Sequence, residues 1–150
     1  SPYRIQITGR TKHFINAFGE ELIIDNAEKA LAKACAETAC AITEYTACPI
    51  YFKGNEAGAH EWIIEFEKAP QDLDAFTDCL DAALKEINSD YEAKRKGNIA
   101  LLKPIVHLAP ADTFYNWMKN RGKLGGQHKV PRLSNERHFI EEIKKVNQAL

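Results

Sequence analysis

The side chains best suited to chemistry lie late in the chain, in the segment Gly122-Lys123-Leu124-Gly125-Gly126-Gln127-His128-Lys129-Val130-Pro131-Arg132. Three glycines in five positions give its backbone wide freedom. Lys129 is a point charge with three donors, suited to a phosphate or to an oxyanion that develops during a reaction. From Lys119 to Arg132 there are five Lys or Arg residues, one His and no acid. Two readings compete: a solvated basic surface loop, or an anion site backed by the N-terminus of the helix that follows. The segment is not a phosphate-binding GxxxxGK[ST] loop, because Val130 stands where that motif needs Ser or Thr.

A second segment, Gly9-Arg10-Thr11-Lys12-His13-Phe14-Ile15-Asn16-Ala17-Phe18-Gly19-Glu20, follows a short strand pattern. A glycine directly after a strand followed by Arg-Thr-Lys could be a hinge, but spacing alone favours a surface turn with a solvent-facing Arg10. Other candidates are weaker. His60 and His107 fall on strand patterns as packed or half-exposed residues, and His138 falls on the surface of the last helix. Glu61, Glu65 and Glu67 read as a wet strand face, and Trp117 and Met118 as core. No spacing supports a Cys/His or Ser/His nucleophile pair.

The elements that must hold these segments follow from hydrophobic periodicity. Tyr3, Ile5 and Ile7 alternate with polar residues as a strand, and His13–Ala17 forms a second. Phe18-Gly19-Glu20 turns it back into Leu22-Ile23-Ile24. A first helix runs from an Asp25 cap, with Glu28 completing the cap, to about Ala41. Ile42–Phe52 and His60–Glu67 make a hairpin, and Pro49 places the first of these strands at an edge or a bulge. Pro70 and Asp72 open a helix with the stripe Leu73, Phe76, Leu80, Ala83 and Ile87. Residues 89–98 end that helix or form an exposed connector. Leu101–Leu108 is a strand interrupted at Pro104. Pro110 starts a helix closed by Gly122, and Ser134 or Asn135 caps the last one. The order predicts an α+β domain: a small β-hairpin at the hinge, then a roughly three-stranded sheet packed with helices.

At 150 residues the chain reads as a single domain, residues 1–150. Its 20 basic and 21 acidic residues leave a net charge of −1, which argues against a general nucleic-acid binder. No apolar run reaches the roughly 20 residues that cross a bilayer. Cys35, Cys40, Cys48 and Cys79 show neither CxxC nor zinc-finger spacing, so no structural metal or disulfide framework is expected and the chain reads as reduced and cytoplasmic. A start at Ser1 without Met, running almost at once into a strand, reads as a cut through a longer chain.

At its two polar segments the sequence resembles the auxin-responsive acyl acid–amido synthetases, within the adenylate-forming superfamily of acyl-CoA synthetases and firefly luciferase. The superfamily's hinge motif is similar to Gly9-Arg10 through Gly19. The amido synthetases' late Gln–aromatic–Lys–Thr–Pro–Arg signature is similar to Gln127-His128-Lys129-Val130-Pro131-Arg132. Val130 replaces the Thr, His128 the aromatic, and Phe18-Gly19 stands where plant members carry Asp-Lys. The resemblance covers essentially the whole chain and implies a C-terminal cap domain. It implies a ligase that uses ATP and Mg2+ to adenylate a carboxylic acid and then joins it to the amine of an amino acid.

In that scheme Lys129 is the catalytic lysine, bridging carboxylate and α-phosphate, and Arg10 lies near the nucleotide. Thr11 and Lys12 are the pivot, while Gln127, Pro131 and Arg132 support the loop. The phosphate loop, acid pocket and ribose-binding Asp would belong to an N-terminal adenylation domain upstream of Ser1, so the isolated domain would be inactive. Two other classes are open on residues alone. One is a stand-alone α+β small-ligand or protein-interaction module, and the other a nucleic-acid module using residues 119–132.

Overall fold

The structure is a computed structural model that describes residues 14–52, 57–120 and 131–146. The expected strand over Tyr3–Ile7 and the closing Gly122 lie outside the described residues. A two-stranded antiparallel hairpin comes first, β1 (Phe14–Ile15) against β2 (Leu22–Ile23), with Phe14 opposite Ile23. Its turn uses Gly19 at φ +87, a left-handed conformation that glycine adopts without steric cost.

Helix α1 (Ile24–Thr38) follows without a break. Its cap is Ile23 rather than Asp25: Asn26 Oδ1 accepts the Ile23 N–H at 3.2 Å, while Asp25 sits in the first turn and pairs with Lys29. The hairpin strand feeds straight into the helix, which moves the cap back by two residues and leaves Glu28 free for another role. The helix also stops earlier than Ala41, because Ala39 turns left-handed and its N–H closes on the Cys35 carbonyl.

Strands β3 (Ala41–Tyr51) and β4 (Gly58–Lys68) form a long antiparallel pair, and β5 (Ile105–Ala109) lies parallel to β4 on its other side. The order β3-β4-β5 puts β3 at the edge, where Pro49 costs no ladder bond. The irregularities in register fall at Ala41–Glu44, not at the proline. Pro104 divides the expected strand, leaving one isolated bridge at Leu101 to Gly58 before β5 begins.

The crossover from β4 to β5 carries α2 (Leu73–Ile87), capped by Asp72, and a separate short helix α3 (Ser89–Arg95). Asn88 makes the break between them, since its side chain accepts the Tyr91 N–H at 2.8 Å. Polar residues 89–98 are therefore neither a continuation of α2 nor an exposed connector: Tyr91 and Arg95 are buried, with Arg95 paired to Asp81 at 2.6 Å. Helix α4 (Thr113–Asn120) starts three residues after Pro110, whose carbonyl accepts the Thr113 hydroxyl. Helix α5 (His138–Val146) is capped by neither Ser134 nor Asn135: Ser134 Oγ accepts the Glu136 N–H, and Asn135 binds the hairpin.

Helices cover both faces of the sheet. On one, α1 and α2 pack over Tyr45, Ala47, Trp62 and Ile64; on the other, α4 and α5 pack over Cys48, Ile63 and Ala109. Trp62, Phe76 and Leu84 are fully buried, and side chains of this size each contribute about 1.5–3 kcal/mol by leaving water. The result is the α+β arrangement expected, a hairpin and then a three-stranded sheet among helices. Among the described residues, no helix is long and apolar enough to cross a membrane.

Candidate functional site

The geometry of greatest interest surrounds the C-terminal stem of the lysine-bearing segment. Gln127 and Lys129 fall in residues 121–130, and Arg10, Thr11 and Lys12 in residues 1–13, so these five lie outside the described residues. Pro131 and Arg132 are described, and both are anchored. As the edge strand, β3 has free backbone groups on its outer side, and residues 131–134 take them up. Ala47 N–H donates to the Arg132 carbonyl at 2.8 Å, Ser134 N–H donates to the Ala47 carbonyl at 3.1 Å, and Thr46 Oγ1 donates to the Pro131 carbonyl at 2.6 Å. Leu133, opposite Ala47, is wholly buried in the core.

Arg132 is held by its side chain as well. Its Nε donates to Glu44 Oε1 at 2.9 Å, its Nη1 to Glu28 Oε2 at 3.3 Å, and its guanidinium lies 5.4 Å from the centre of the Tyr45 ring. Tyr45 donates its hydroxyl to the same Glu28 oxygen. Burial, then the carboxylates Glu28 and Glu44, push the Tyr45 hydroxyl upward, which keeps it a donor. With two carboxylates on it, Arg132 acts as a fastening of this stem, and its charge is already matched.

The end of the glycine-arginine segment meets this stem. Asn135 accepts the Asn16 N–H at 2.8 Å and donates to the Phe14 carbonyl at 3.1 Å, so one amide side chain joins the hairpin to residues 131–135. The hairpin is seated in turn on the sheet. Glu20 Oε1 accepts the Phe18 N–H at 2.7 Å, and Glu20 Oε2 lies 2.5 Å from His60 Nε2, both side chains being fully buried. Burial alone would raise the Glu20 carboxyl, but the hydrogen bond and charge of His60 outweigh it and hold it below the ordinary range. Asn88 Nδ2 donates to the carbonyls of Glu20 and Glu21. The Phe18 ring lies over Gly58, where an added Cβ would meet it at 2.4 Å.

Of the carboxylates of β4, Glu67 is exposed as expected, but Glu61 and Glu65, on the opposite face of the sheet, are not wet. Glu61 and Glu65 point between α4 and α5 and are 2% and 7% exposed. Glu65 accepts the N–H groups of Asp112 and Phe114, capping α4 from a neighbouring strand. Glu61 accepts Arg137 at 2.8 Å and Lys144 at 2.6 Å, and lies 2.6 Å from His107 Nε2. Burial raises the Glu61 carboxyl, yet the hydrogen bonds from His107, Lys144 and Arg137 win and bring it to about 2. The alternation along β4 reads as a solvated face only because the cations that satisfy Glu61 come from 76 and 83 residues away. His60 is packed, His107 is partly exposed and His138 is on the surface, as expected. Among the described residues no three His, Cys, Asp or Glu side chains converge to hold a metal ion.

The partners of Arg132 could not be found in sequence, since Glu44 and Glu28 lie 88 and 104 residues away with no local pattern linking them. Asn135 did carry a signal, as a polar residue just before a helix, but it was open to a capping role that the structure gives to none of its side-chain groups.

Comparison with known proteins adds to this geometry. Residues 25–138 match the model of the GH3 family C-terminal domain. A solved structure described as GH3.15 acyl acid amido synthetase superposes with a TM-score of 0.70 at 16% identity, over 91% of this chain and 26% of that one. Another, described as AtGH3.15 acyl acid amido synthetase in complex with 2,4-DB, gives 0.69 at 14% identity, over 89% of this chain and 25% of that one. No curated protein sequence matches. The chain thus spans about a quarter of the length of the synthetases whose fold it shares. With the family model matching well over half of its residues, this chain belongs to the GH3 family, as its C-terminal domain.

Proposed function

We propose that this chain is the C-terminal domain of an ATP-dependent acyl acid–amido synthetase, which adenylates a carboxylic acid and transfers the acyl group to the amine of an amino acid. The observation that carries the reading is the junction at Asn135, where the end of the hinge-like segment and the stem of the lysine-bearing segment are fastened together. Family membership and the shared synthetase fold support it.

In this proposal the domain turns as one body about Thr11 and Lys12, since from Phe14 onward the hairpin is tied to the sheet. The turn delivers Lys129, two positions before the fastened Pro131, to the reacting carboxylate and α-phosphate, where a cation stabilises the charge that builds on the phosphoryl oxygens. Arg10 contributes near the nucleotide. Gln127, Pro131 and Arg132 support the loop, with Glu44, Glu28 and Tyr45 holding Arg132. ATP, its Mg2+, the acid and the amine acceptor are assigned mainly to an N-terminal adenylation domain, the domain's partner, and the isolated chain is assigned no activity. No role for nucleic acid or membrane is proposed. The cytoplasm is the proposed location, supported by four cysteines that are all free thiols.

The test is ATP–pyrophosphate exchange by the full-length enzyme across a panel of carboxylic acids. Acid-dependent exchange that falls by about two to three orders of magnitude in Lys129→Ala, with folding intact, is expected. Folded full-length enzyme without exchange on a broad panel would move the chain to the ligand-binding or protein-interaction class, and unchanged exchange in Lys129→Ala would remove the role given to that lysine.

A further inference from the structure

The C-terminal end of α1 folds back on a pair of thiols. Ala39 is left-handed at φ 55 and ψ 48, and the N–H groups of Ala39 and Cys40 both close on the Cys35 carbonyl, the second at 3.1 Å. This closure lays residue 40 over residue 35, the position where a side-chain contact commonly completes a helix end. Here both side chains are cysteines, and the nearness of Cys40 raises the Cys35 thiol. Disulfides span about 4.4–6.8 Å between Cα atoms, and the helix-end closure that joins the Cys40 N–H to the Cys35 carbonyl brings these two residues together.

Polar surroundings continue the chain of donors. Cys40 Sγ lies 3.3 Å from Thr38 Oγ1, and Thr38 gives its own hydroxyl proton to the Ala34 carbonyl at 2.7 Å. The Cys40 S–H is therefore the donor to Thr38, in a series running from Cys40 through Thr38 to Ala34. Both cysteines are half-buried, unlike Cys48, which is 2% exposed within the core. A small reagent can reach them.

We infer that Cys35 and Cys40 form a reversible thiol–disulfide site, closed by a peroxide and reopened by a dithiol reductant. The Cys40 thiolate attacks one peroxide oxygen, an S–O bond forms as the O–O bond breaks, and the departing hydroxide takes up a proton as water. The Cys35 sulfur then attacks the Cys40 sulfenic acid, the S–S bond forms, and the second oxygen leaves as water. Two thiols lose two electrons and two protons, and the peroxide is reduced to two waters.

The order of attack follows from the pair. Burial, and then the hydrogen bond and charge of Cys40, push the Cys35 thiol up to about 12, which makes Cys35 a poor first nucleophile and assigns it the resolving step. Cys35 also lines, with Glu28, Ile42, Tyr45 and Arg132, a groove of about 280 Å³ beside the loop stem. The inference does not depend on the ligase reading.

The test uses the folded chain, treated with limiting hydrogen peroxide, blocked with N-ethylmaleimide, and only then denatured and cleaved after glutamate. That cleavage separates residues 29–37, which hold Cys35, from residues 38–44, which hold Cys40. The expected product is these two peptides joined, two hydrogens lighter than their sum. It should be reversed by dithiothreitol and absent in Cys35→Ser and in Cys40→Ser, with Cys48 and Cys79 recovered as single thiols. Alkylation of both Cys35 and Cys40 after peroxide, or a sulfinic acid on Cys40 without the cross-link, would overturn the inference. Cross-linking only in chain denatured before oxidation would also overturn it, because the fold would then not be what pairs the sulfurs.

Discussion

Replacing Glu61 by Gln isolates a single buried charge whose worth can be worked out from its surroundings. Its side chain is 3% exposed and receives hydrogen bonds from Arg137, Lys144 and His107, which hold the carboxyl at about 2 against an ordinary 4.5. That difference corresponds to about 3 kcal/mol of stability. Because the folded-state value is depressed, the contribution is fully present above pH 4.5 and is lost as the pH falls from 4.5 through about 2. At pH 3 about 1 kcal/mol of it remains.

Glu61→Gln should therefore lower the free energy of urea unfolding by about 3 kcal/mol at pH 7 and by about 1 kcal/mol at pH 3. Arg137 and Lys144 are about a quarter exposed and can rehydrate, which keeps the loss near the lower end for a broken buried pair. A Glu61→Gln protein within about 0.5 kcal/mol of the parent at pH 7, the size of an ordinary surface change, would refute the reasoning. An equal loss at both pH values would do so too, since the effect would then be packing and not charge.

Four further substitutions probe the framework. Gly58→Ala puts a methyl 2.4 Å from the Phe18 ring and from the Ile50 carbonyl, so a loss of about 2 kcal/mol or more is expected in chemical denaturation. Phe18→Ala in the same chain should relieve only part of that loss, because the carbonyl contact remains; complete recovery would mean the backbone contact costs nothing. Asp81→Asn leaves the Arg95 guanidinium buried without its bidentate partner, and about 3 kcal/mol should disappear on thermal unfolding. A melting temperature equal to the parent's would show that Arg95 does not need a charged partner at position 81. Arg132→Ala removes ion pairs to half-exposed carboxylates, so stability should change by about 1 kcal/mol or less. Adenylation by the full-length enzyme should nevertheless fall roughly tenfold through a looser loop stem; parallel, small losses in both readouts would reduce Arg132 to a surface ion pair.

Local rules carried much of the architecture. The alternation from His60 to Glu67, the Asp72 cap and the stripe from Leu73 to Ile87 depend on neighbours two to four residues away, and these elements stand within two residues of where periodicity puts them. The chain by itself also marked its two polar segments, with their Gly, Arg and Lys types, as the places where chemistry could be. Boundaries failed where a long-range contact took over a local one. Asp25 gives way as a cap because β2 runs directly into α1, and Ser134 and Asn135 are drawn off by β3 and the hairpin.

Burial of charge was decided by tertiary structure alone. Glu61 and Glu65 look solvated along β4, and only the packing of α4 and α5 over that face supplies the cations and N–H groups that let carboxylates leave water. The junction at Asn135 is of the same kind: Phe14 and Asn16 are more than 100 residues from it, and no local period relates them. Side-chain type and spacing fix what a residue can do within its own turn or strand. Which distant partner neutralises a charge or fastens a loop depends on how the layers close, and that is written only in the folded chain.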